Sequence, residues 1–517
     1  MKHTDIIRKL NLEQKCALLS GETVFTTRAL PGKGIPSITL SDGPNGVRKQ
    51  AGAADHLGLN PSVPATCFPT SSATACSWDE ALGEAVGEAM GEEAAAQEVA
   101  VLLGPGLNIQ RSPLCGRDFE YFSEDPILAG KMAAAYVRGI QKKGIAACPK
   151  HFAVNSQELR RMASDSVVDE RTLRELYLTG FEIVVKEARP KTIMTSYNLI
   201  NGTYANENAH LLQDILRKDW GFDGAVITDW GGSNDHALGV KNGSTLEMPC
   251  PGGDSIRELM KAVKDGKVTE ADLDARLDEL LELVLSTHAA VEKAPRTFDA
   301  AAHHALARRA AAESIVLLKN EDGILPLKAG EKLAVIGDFA QTPRYQGAGS
   351  SAVNALQVDA LLDCIKADDS GISFVGYASG FDRQGAADPK KQEEAVSLAK
   401  QADTVLLCLG LDELRESEGL DRADMALAEN QQQLLDAVAA VNPNVVVLLS
   451  AGAPVETPWV GRCKALVYGA LGGQAGAGAA ADILTGKLCP CGKLSQTWAK
   501  AYDDTPVSYT HLTLPTN

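Results

Sequence analysis

The sequence has little of what marks membrane, metal-binding or disulfide-stabilised proteins. No run approaches the roughly 18 consecutive apolar residues that span a bilayer. The eleven cysteines are an odd number, stand singly and form no CxxC pair, and Cys489 with Cys491 alone cannot complete a zinc site. Basic residues are too few for a nucleic-acid or anionic-membrane partner, since 50 Lys and Arg stand against 67 Asp and Glu and the formal charge is −17.

The amino-terminal segment, residues 1–21, also lacks the features of a secretory leader. Charged and apolar residues alternate there at helical spacing, without an uninterrupted apolar core followed by a small-residue cleavage site. We therefore expect a soluble, bacterial, cytoplasmic protein with reduced thiols. A homo-oligomer is compatible with this sequence, as is a monomer.

Short apolar runs alternate with amphipathic segments from residue 36 to about residue 290. The segments 79–98 and 169–188 carry charged and apolar residues at three- and four-residue spacing, which is typical of amphipathic helices. Such alternation indicates βα units. We predict an N-terminal catalytic domain over residues 1–290 that resembles a (β/α)8 barrel. Its first strand can depart from the regular barrel geometry.

A second domain is expected after residue 300. Periodicity is lost over 289–300, where Pro295 stands, and we interpret this segment as a linker. Residues 301–506 then repeat the alternation, with the runs KLAVIGD, TVLLCLG and NVVVLLSAGAP. Continuous apolar runs are typical of strands that are buried on both faces. We therefore predict that this domain is an α/β sandwich with a mostly parallel sheet, so that the whole chain belongs to the α/β fold class.

Two carboxylates follow strand-like runs, one in each predicted domain. Asp229, followed by Trp230, closes GAVITDW, at the strand end where barrel enzymes usually place their chemistry. Glu418 lies in the polar segment DELRESEGLDR (412–422), directly after TVLLCLG. Glycoside hydrolysis needs such a pair, because one carboxylate attacks the anomeric carbon and one carboxylic acid protonates the leaving oxygen. Most carboxylates are solvated surface groups, so the surrounding motifs decide whether these two are catalytic.

Four further motifs precede these carboxylates along the chain. They are SDGPNGVR (41–48), GRDFEYFSEDP (116–126), KHFAVNSQE (150–158) and TSYNLING (195–202). With them, residues 10–506 resemble glycoside hydrolase family 3, and within it the β-glucosidases. The resemblance implies a retaining, exo-acting enzyme that removes terminal non-reducing β-D-glucosyl residues from a small oligosaccharide or β-glucoside. No metal or organic cofactor is implied, because an acid, a nucleophile and water suffice.

The resemblance also implies roles for single residues. Asp229 is the expected nucleophile, and Glu418 is the expected acid/base, contributed by the second domain across the domain interface. Glu416, in the same segment, remains the alternative acid/base. The residues expected to bind the glucosyl unit are Asp42, Arg48, Arg117, Lys150, His151, Arg161, Tyr197, Trp230 and Ser350. Ordinary structural roles compete with these, such as capping by Asp42, a surface ion pair of Arg117 and core packing of Trp230.

The same motifs also distinguish the β-glucosidase function from alternative functions. A β-xylosidase or α-L-arabinofuranosidase of the family is the main alternative, although such relatives more often carry Glu in place of Asp42 and a smaller residue in place of Trp230. A β-N-acetylglucosaminidase would have a histidine-bearing loop where residues 153–155 read Ala-Val-Asn. A dinucleotide-dependent oxidoreductase would need GxGxxG opening a helix, which is missing. The paired carboxylates argue against a non-catalytic sugar-binding protein.

The last residues have a different character. The segment VSYTHLTLPTN (507–517) resembles the in-frame translation of a transposon-library sequencing adapter, and we exclude it from the fold. Many relatives continue past this point into a small fibronectin-like β-sandwich. We expect this chain to lack that domain.

Overall fold

The computed structural model describes residues 1–52 and 60–508. The chain forms two compact units, of which the first comprises Met1–Ala65, Glu80–Ile109 and Pro126–Asp299, and the second Thr66–Asp79, Gln110–Asp125 and Ala300–Asn517. The second unit thus includes two segments that the sequence analysis placed in the barrel-like domain. The predicted adapter tail lies outside the described residues from position 509 onward.

The strands of the first unit are short. They are β1 (Leu40–Asp42), β2 (Val101–Leu103), β3 (Ala146–Ala147), β4 (Asp165–Ser166), β5 (Thr192–Met194), β6 (Leu199–Ile200), β7 (Thr203–Tyr204) and β8 (Ala225–Ile227). Parallel pairing joins β1, β2 and β3, and it also joins β5 to β8. The strands β4, β6 and β7 form a separate small sheet.

Isolated bridges extend the parallel pairs toward a ring. The parallel bridges pair Phe152 with Thr195, Ile227 with Leu246 and Ser20 with Glu247. An antiparallel bridge between Thr26 and Thr39 leads from the Ser20 segment back to β1. This unit is a TIM-type barrel whose start is irregular, which confirms the predicted architecture.

Helices accompany the barrel strands. They span Thr4–Ile7, Leu12–Leu18, Glu80–Ala96, Pro126–Gln141, Glu170–Thr172, Thr179–Ala188, His236–Asn242, Asp254–Lys264 and Glu270–Lys293, with π-helical turns at Leu173–Tyr177 and His210–Asp219. The helices predicted over 79–98 and 169–188 are confirmed within a few residues. The predicted linker starts too early, because burial of Val291 carries the preceding helix on to Lys293. Within the described ranges, no helix is long and apolar enough to cross a membrane.

Two barrel helices, Glu80–Ala96 and Pro126–Gln141, pack through glycine. Gly83, Gly87 and Gly91 recur every fourth residue, which places them on one face of the first helix. A Cβ atom at Gly87 would lie only 2.5 Å from the carbonyl oxygen of Tyr136. The two backbones therefore approach more closely than any larger residue would permit.

Substituting Gly87→Ala should lower the free energy of unfolding by about 1–3 kcal/mol, because the added methyl group overpacks this contact. The same change at an exposed helical position would stabilise the helix by about 1 kcal/mol, so the sign of the effect is diagnostic. Denaturant titration measures it. Gly32→Ala is the matched control in the same unit, since nothing lies within 4 Å of its added Cβ. A Gly87→Ala protein as stable as the wild type would contradict close helix packing.

The second unit is built on one six-stranded sheet. Its strands are β9 (Val316–Asn320), β10 (Lys332–Ile336), β11 (Ser373–Ala378), β12 (Thr404–Gly410), β13 (Val445–Ser450) and β14 (Ala465–Tyr468), in the order β11-β10-β12-β13-β14-β9. Only β9 pairs antiparallel in this sheet. The α-helices of the unit span Ser71–Ala75, Ala300–Ser314, Leu361–Lys366, Pro389–Ala399, Glu429–Ala439 and Gly476–Leu484. The predicted mostly parallel sheet is confirmed.

The strand order places the segment that carries Glu418 at a special position. The chain adds β11 on one side of β10 and then crosses to add β12 on the other side. In open α/β sheets, the carboxyl ends of the two strands at such a switch point border a crevice that typically holds functional loops. All seven residues of β12 are buried, and the segment 412–422 leaves the sheet just beyond the end of this strand.

Candidate active site

Asp229 lies just beyond the end of β8, where parallel barrel strands present functional side chains. The residue is 8% exposed. Its Oδ1 atom accepts a hydrogen bond from the backbone N–H of Trp230 at 2.7 Å, and its Oδ2 atom lies 3.6 Å from His151 Nε2. Oδ2 is buried and accepts no hydrogen bond from the described residues. One carboxylate oxygen is thus fixed, while the lone pairs of the other are available for a reaction.

The buried residues Lys150 and His151 follow β3, so they lie at the same end of the barrel as Asp229. Asn108 brackets the backbone of His151, because its Oδ1 accepts the His151 N–H at 2.8 Å and its Nδ2 donates to the His151 carbonyl at 2.9 Å. This pair of bonds fixes the segment from which the imidazole faces Asp229. Asn108 was not among the predicted site residues, although it stands at the end of the apolar run EVAVLLGPGLNI (98–109), a position that could have indicated it.

Trp230, Tyr197 and Arg161, which the sequence analysis singled out separately, lie together. The Tyr197 hydroxyl donates to the Trp230 carbonyl at 3.0 Å, and the Arg161 guanidinium lies 4.7 Å from the centre of the Tyr197 ring. Arg161 also pairs with Glu158 at 2.7 Å. The indole Nε1 of Trp230 donates to the Val24 carbonyl at 2.8 Å. The residue next to Asp229 is therefore held through both its backbone and its side chain.

Asp42 and Arg48 close a loop at the carboxyl end of β1. The Arg48 N–H donates to the Asp42 carbonyl at 2.9 Å, and Arg48 Nη1 lies 4.0 Å from Asp42 Oδ2. Because β1, β3 and β8 belong to one parallel barrel, the residues at their carboxyl ends share one face of it. The first unit therefore brings Asp42, His151 and Asp229 to the same end.

Glu418 lies in the second unit between a backbone hydrogen-bond donor and a guanidinium group. Its Oε2 atom accepts the backbone N–H of Ser350 at 2.8 Å, and its Oε1 atom lies 3.5 Å from Arg117 Nη1. Arg117 is itself held by the buried Glu120 at 2.5 Å. The Glu418 side chain keeps 16% of its surface exposed. Ser350 was expected to touch the sugar, and the structure shows that its backbone binds this carboxylate.

Two glycines make room for the Glu418 segment. A Cβ atom at Gly349, where φ is +107°, would lie 2.4 Å from the Cβ atom of Glu418. A Cβ atom at Gly116 would lie 1.7 Å from the carbonyl oxygen of Leu420. Any side chain at either position would push the segment away, so both glycines are needed for its present course.

The three glutamates of segment 412–422 occupy different environments. Glu413 is exposed and pairs with Arg383 at 2.9 Å. Glu416 is 1% exposed, and both of its carboxylate oxygens accept the Gly452 N–H, at 2.8 and 3.1 Å. Burial raises the pKa of Glu416 despite the opposing guanidinium groups of Arg344 and Arg422. Of the three, Glu418 combines an accessible carboxylate with a fixed backbone donor and a nearby guanidinium group, which favours it as a reactive group.

The comparisons with known proteins cover both units. Residues 53–283 match the glycosyl hydrolase family 3 N-terminal domain, and residues 315–516 match the glycosyl hydrolase family 3 C-terminal domain. Thermostable beta-glucosidase B of Acetivibrio thermocellus is 46% identical over 496 residues, which cover 95% of this chain and 65% of that relative. The chain thus spans somewhat less than two thirds of that protein's length.

Two further similarities indicate the same family. An exo-alpha-(1->6)-L-arabinopyranosidase of Bifidobacterium longum is 45% identical over 512 residues, covering 97% of this chain and 67% of the relative. The crystal structure of the Bifidobacterium adolescentis GH3 beta-glucosidase superimposes with a TM-score of 0.91 at 43% identity, covering 97% of this chain and 72% of that one. The barrel, the α/β sandwich and these similarities together show that the chain belongs to glycoside hydrolase family 3.

Proposed function

We propose that this protein is a retaining, exo-acting β-glucosidase that hydrolyses terminal non-reducing β-D-glucosyl residues. The observation that carries the proposal is the environment of Asp229. It is a nearly buried carboxylate at the carboxyl end of a barrel strand, with Oδ1 fixed by the Trp230 N–H and Oδ2 facing His151. Relatives named β-glucosidases support the substrate class.

In the proposed first step, Asp229 Oδ2 attacks the anomeric carbon while the bond to the leaving oxygen breaks. A covalent glucosyl ester on Asp229 results, and its later hydrolysis by water restores the carboxylate with net retention. The lone pairs of Oδ2 are available for this attack because, among the residues that the structure describes, hydrogen bonding to the carboxylate involves Oδ1 and not Oδ2. Lys150 and His151 would bind sugar hydroxyls by charge-assisted hydrogen bonds.

Glu418 is the proposed acid/base. It would protonate the leaving oxygen in the first step and accept a proton from the attacking water in the second. Its partial exposure allows contact with substrate, and Arg117 with the Ser350 N–H fixes its orientation. Asp42, Arg48, Arg161 and Tyr197 remain proposed contacts of the sugar hydroxyls, and Trp230 a proposed apolar face for the ring.

A second candidate activity is removal of α-L-arabinopyranosyl units, favoured by the relative of that name at 45% identity. A pentopyranose lacks the hydroxymethyl group of glucose, and such a group contributes only about 1–3 kcal/mol to discrimination. The β-xyloside and α-L-arabinofuranoside alternatives stay predictions. A panel of nitrophenyl glycosides that includes all four sugars ranks them directly.

The cytoplasmic location and a homo-oligomeric state also stay predictions. Among the described residues, which include all eleven cysteines, no disulfide is formed. Thiols that stay reduced suit the cytoplasm rather than an oxidising compartment. Neither the location nor the oligomeric state follows from this finding. Likewise, no cluster of three or more His, Cys, Asp or Glu in the described part of the chain could hold a metal ion.

Replacing Asp229 by Ala should lower kcat on nitrophenyl β-D-glucoside on the order of 10⁴-fold, since the nucleophile is lost. Release of nitrophenol measures this effect, with circular dichroism to verify the fold. Asp223→Ala is the matched control, because this exposed aspartate precedes the same strand. Undiminished hydrolysis by the Asp229 variant would remove it from the mechanism.

Replacing Glu418 by Ala should affect substrates according to their leaving groups. Hydrolysis of a β-glucosyl disaccharide should fall by about 10²–10⁴-fold, because its leaving oxygen needs a proton. The initial release of dinitrophenol should be nearly unchanged, and azide should accelerate turnover of that substrate by trapping the glucosyl enzyme.

The control for this experiment is Glu413→Ala, an exposed glutamate of the same segment. It should leave both substrates unaffected. Equal losses on both substrates in the Glu418 variant would transfer the acid/base role to Glu416.

A further inference from the structure

Four buried charged residues of the second unit lie in or beside the segment that carries Glu418. We call Asp118, Arg344, Glu416 and Arg422 the anchor cluster; each is less than a tenth exposed. None of the four is assigned a role in the proposed mechanism. A group of ions withdrawn from water is costly unless its members are paired and hydrogen-bonded, so its contacts indicate what it holds in place.

Glu416 is held at both its side chain and its backbone. Its carboxylate accepts the Gly452 N–H, and its carbonyl oxygen accepts a hydrogen bond from Arg344 Nη2 at 3.1 Å. The strand-end segment around Gly452 and the segment around Arg344 therefore meet at this residue. Glu416 fixes the chain two positions before Glu418.

Arg422 fixes the chain on the other side of Glu418. Its Nη1 atom donates to the Pro454 carbonyl at 2.7 Å, and its backbone N–H donates to the Leu114 carbonyl at 2.8 Å. Next to it, Asp421 accepts the Gly116 N–H at 3.1 Å. Residues 417–420 lie between these two fixed points and include Glu418. We call them the bridge.

The charges of the anchor cluster depend on one another. Burial raises the pKa of Asp118 well above its usual range, and the Arg422 guanidinium opposes that shift, while Asp421 and Glu416 add to it. Burial lowers the pKa of Arg422, against the attraction of Glu416 and Asp118. Removing the charge of Glu416 would therefore leave Arg344 and Arg422 undercompensated and free to draw the segment into a new position.

Building on the proposed function, we infer that Glu416 is a positioning residue for the acid/base, holding the bridge so that Glu418 meets Arg117 and the Ser350 N–H. Glu416 does not itself exchange a proton with substrate. The N–H of Glu418 donates to the Ala348 carbonyl at 3.1 Å, so a shifted bridge would lose this bond as well. Proton transfer is sensitive to such shifts, since misplacement by about 1 Å can cost on the order of 10²-fold in rate.

The test compares Glu416→Gln with Glu413→Gln, the same change at an exposed position of the same segment. In Glu416→Gln, kcat/KM on a β-glucosyl disaccharide should fall by roughly tenfold or more, and on dinitrophenyl β-glucoside by less than about threefold. The basic limb of its pH profile should shift, because the surroundings of Glu418 change. Azide should give no acceleration, because the Glu418 carboxylate is still present. Glu413→Gln should match the wild type in all four respects.

Three outcomes would overturn the inference. Azide acceleration in Glu416→Gln would make Glu416 the acid/base itself. Equal losses on both substrates with an unchanged pH profile would reduce it to a purely structural residue. Behaviour identical to Glu413→Gln would show that the anchor cluster has no effect on Glu418.

A second variant and a second measurement cover the remaining cases. If Glu416→Gln does not fold, Glu416→Asp keeps the charge and should show a smaller leaving-group effect in the same direction; its absence would refute the inference. Hydrogen exchange at the amides of Ser350 and Glu418 should be faster in the Glu416 variant than in Glu413→Gln, whatever the activity. Unchanged exchange would overturn the positioning role, whereas an inactive wild type would overturn only the proposed function.

Discussion

A buried carboxylate must be met by hydrogen-bond donors or cations, because an uncompensated ion in a protein interior costs several kcal/mol. Two carboxylates here meet this constraint with hydrogen bonds from the backbone and with cationic or imidazole groups nearby. Asp229 has the Trp230 N–H and the nearby His151, while Glu416 has the Gly452 N–H and two guanidinium groups. Because backbone donors cannot move independently of the fold, the position of each carboxylate is set by the packing around it.

Both units use the carboxyl ends of parallel strands to present these groups. In the barrel, Asp229 follows β8, and in the open sheet the segment 412–422 follows β12. Strands that are buried on all sides are rigid, whereas the residues just beyond them are released from the ladder and can turn toward a substrate. The same arrangement thus combines a fixed backbone with carboxylates placed just beyond a strand end in two different architectures.

The sequence predicted the strands of both units well, since runs such as TVLLCLG are apolar enough to be buried throughout. It also predicted Asp229 and Glu418 as candidates, because each follows such a run. Long-range contacts could not be predicted from the sequence. No local pattern shows that residues 66–79 and 110–125 join the second unit, or that the Asn108 side chain hydrogen-bonds to the His151 backbone. Glu416 and Glu418 likewise differ in burial, which the composition of their shared segment does not encode.

The hydrogen bond from residue 350 to Glu418 comes from the backbone, and the side chain of Ser350 plays no part in it. Every amino acid except proline carries the same N–H group. Sequence variation at this position therefore leaves in place the donor that orients the carboxylate. A side chain at the neighbouring Gly349 would instead lie against Glu418, so that position has no such freedom.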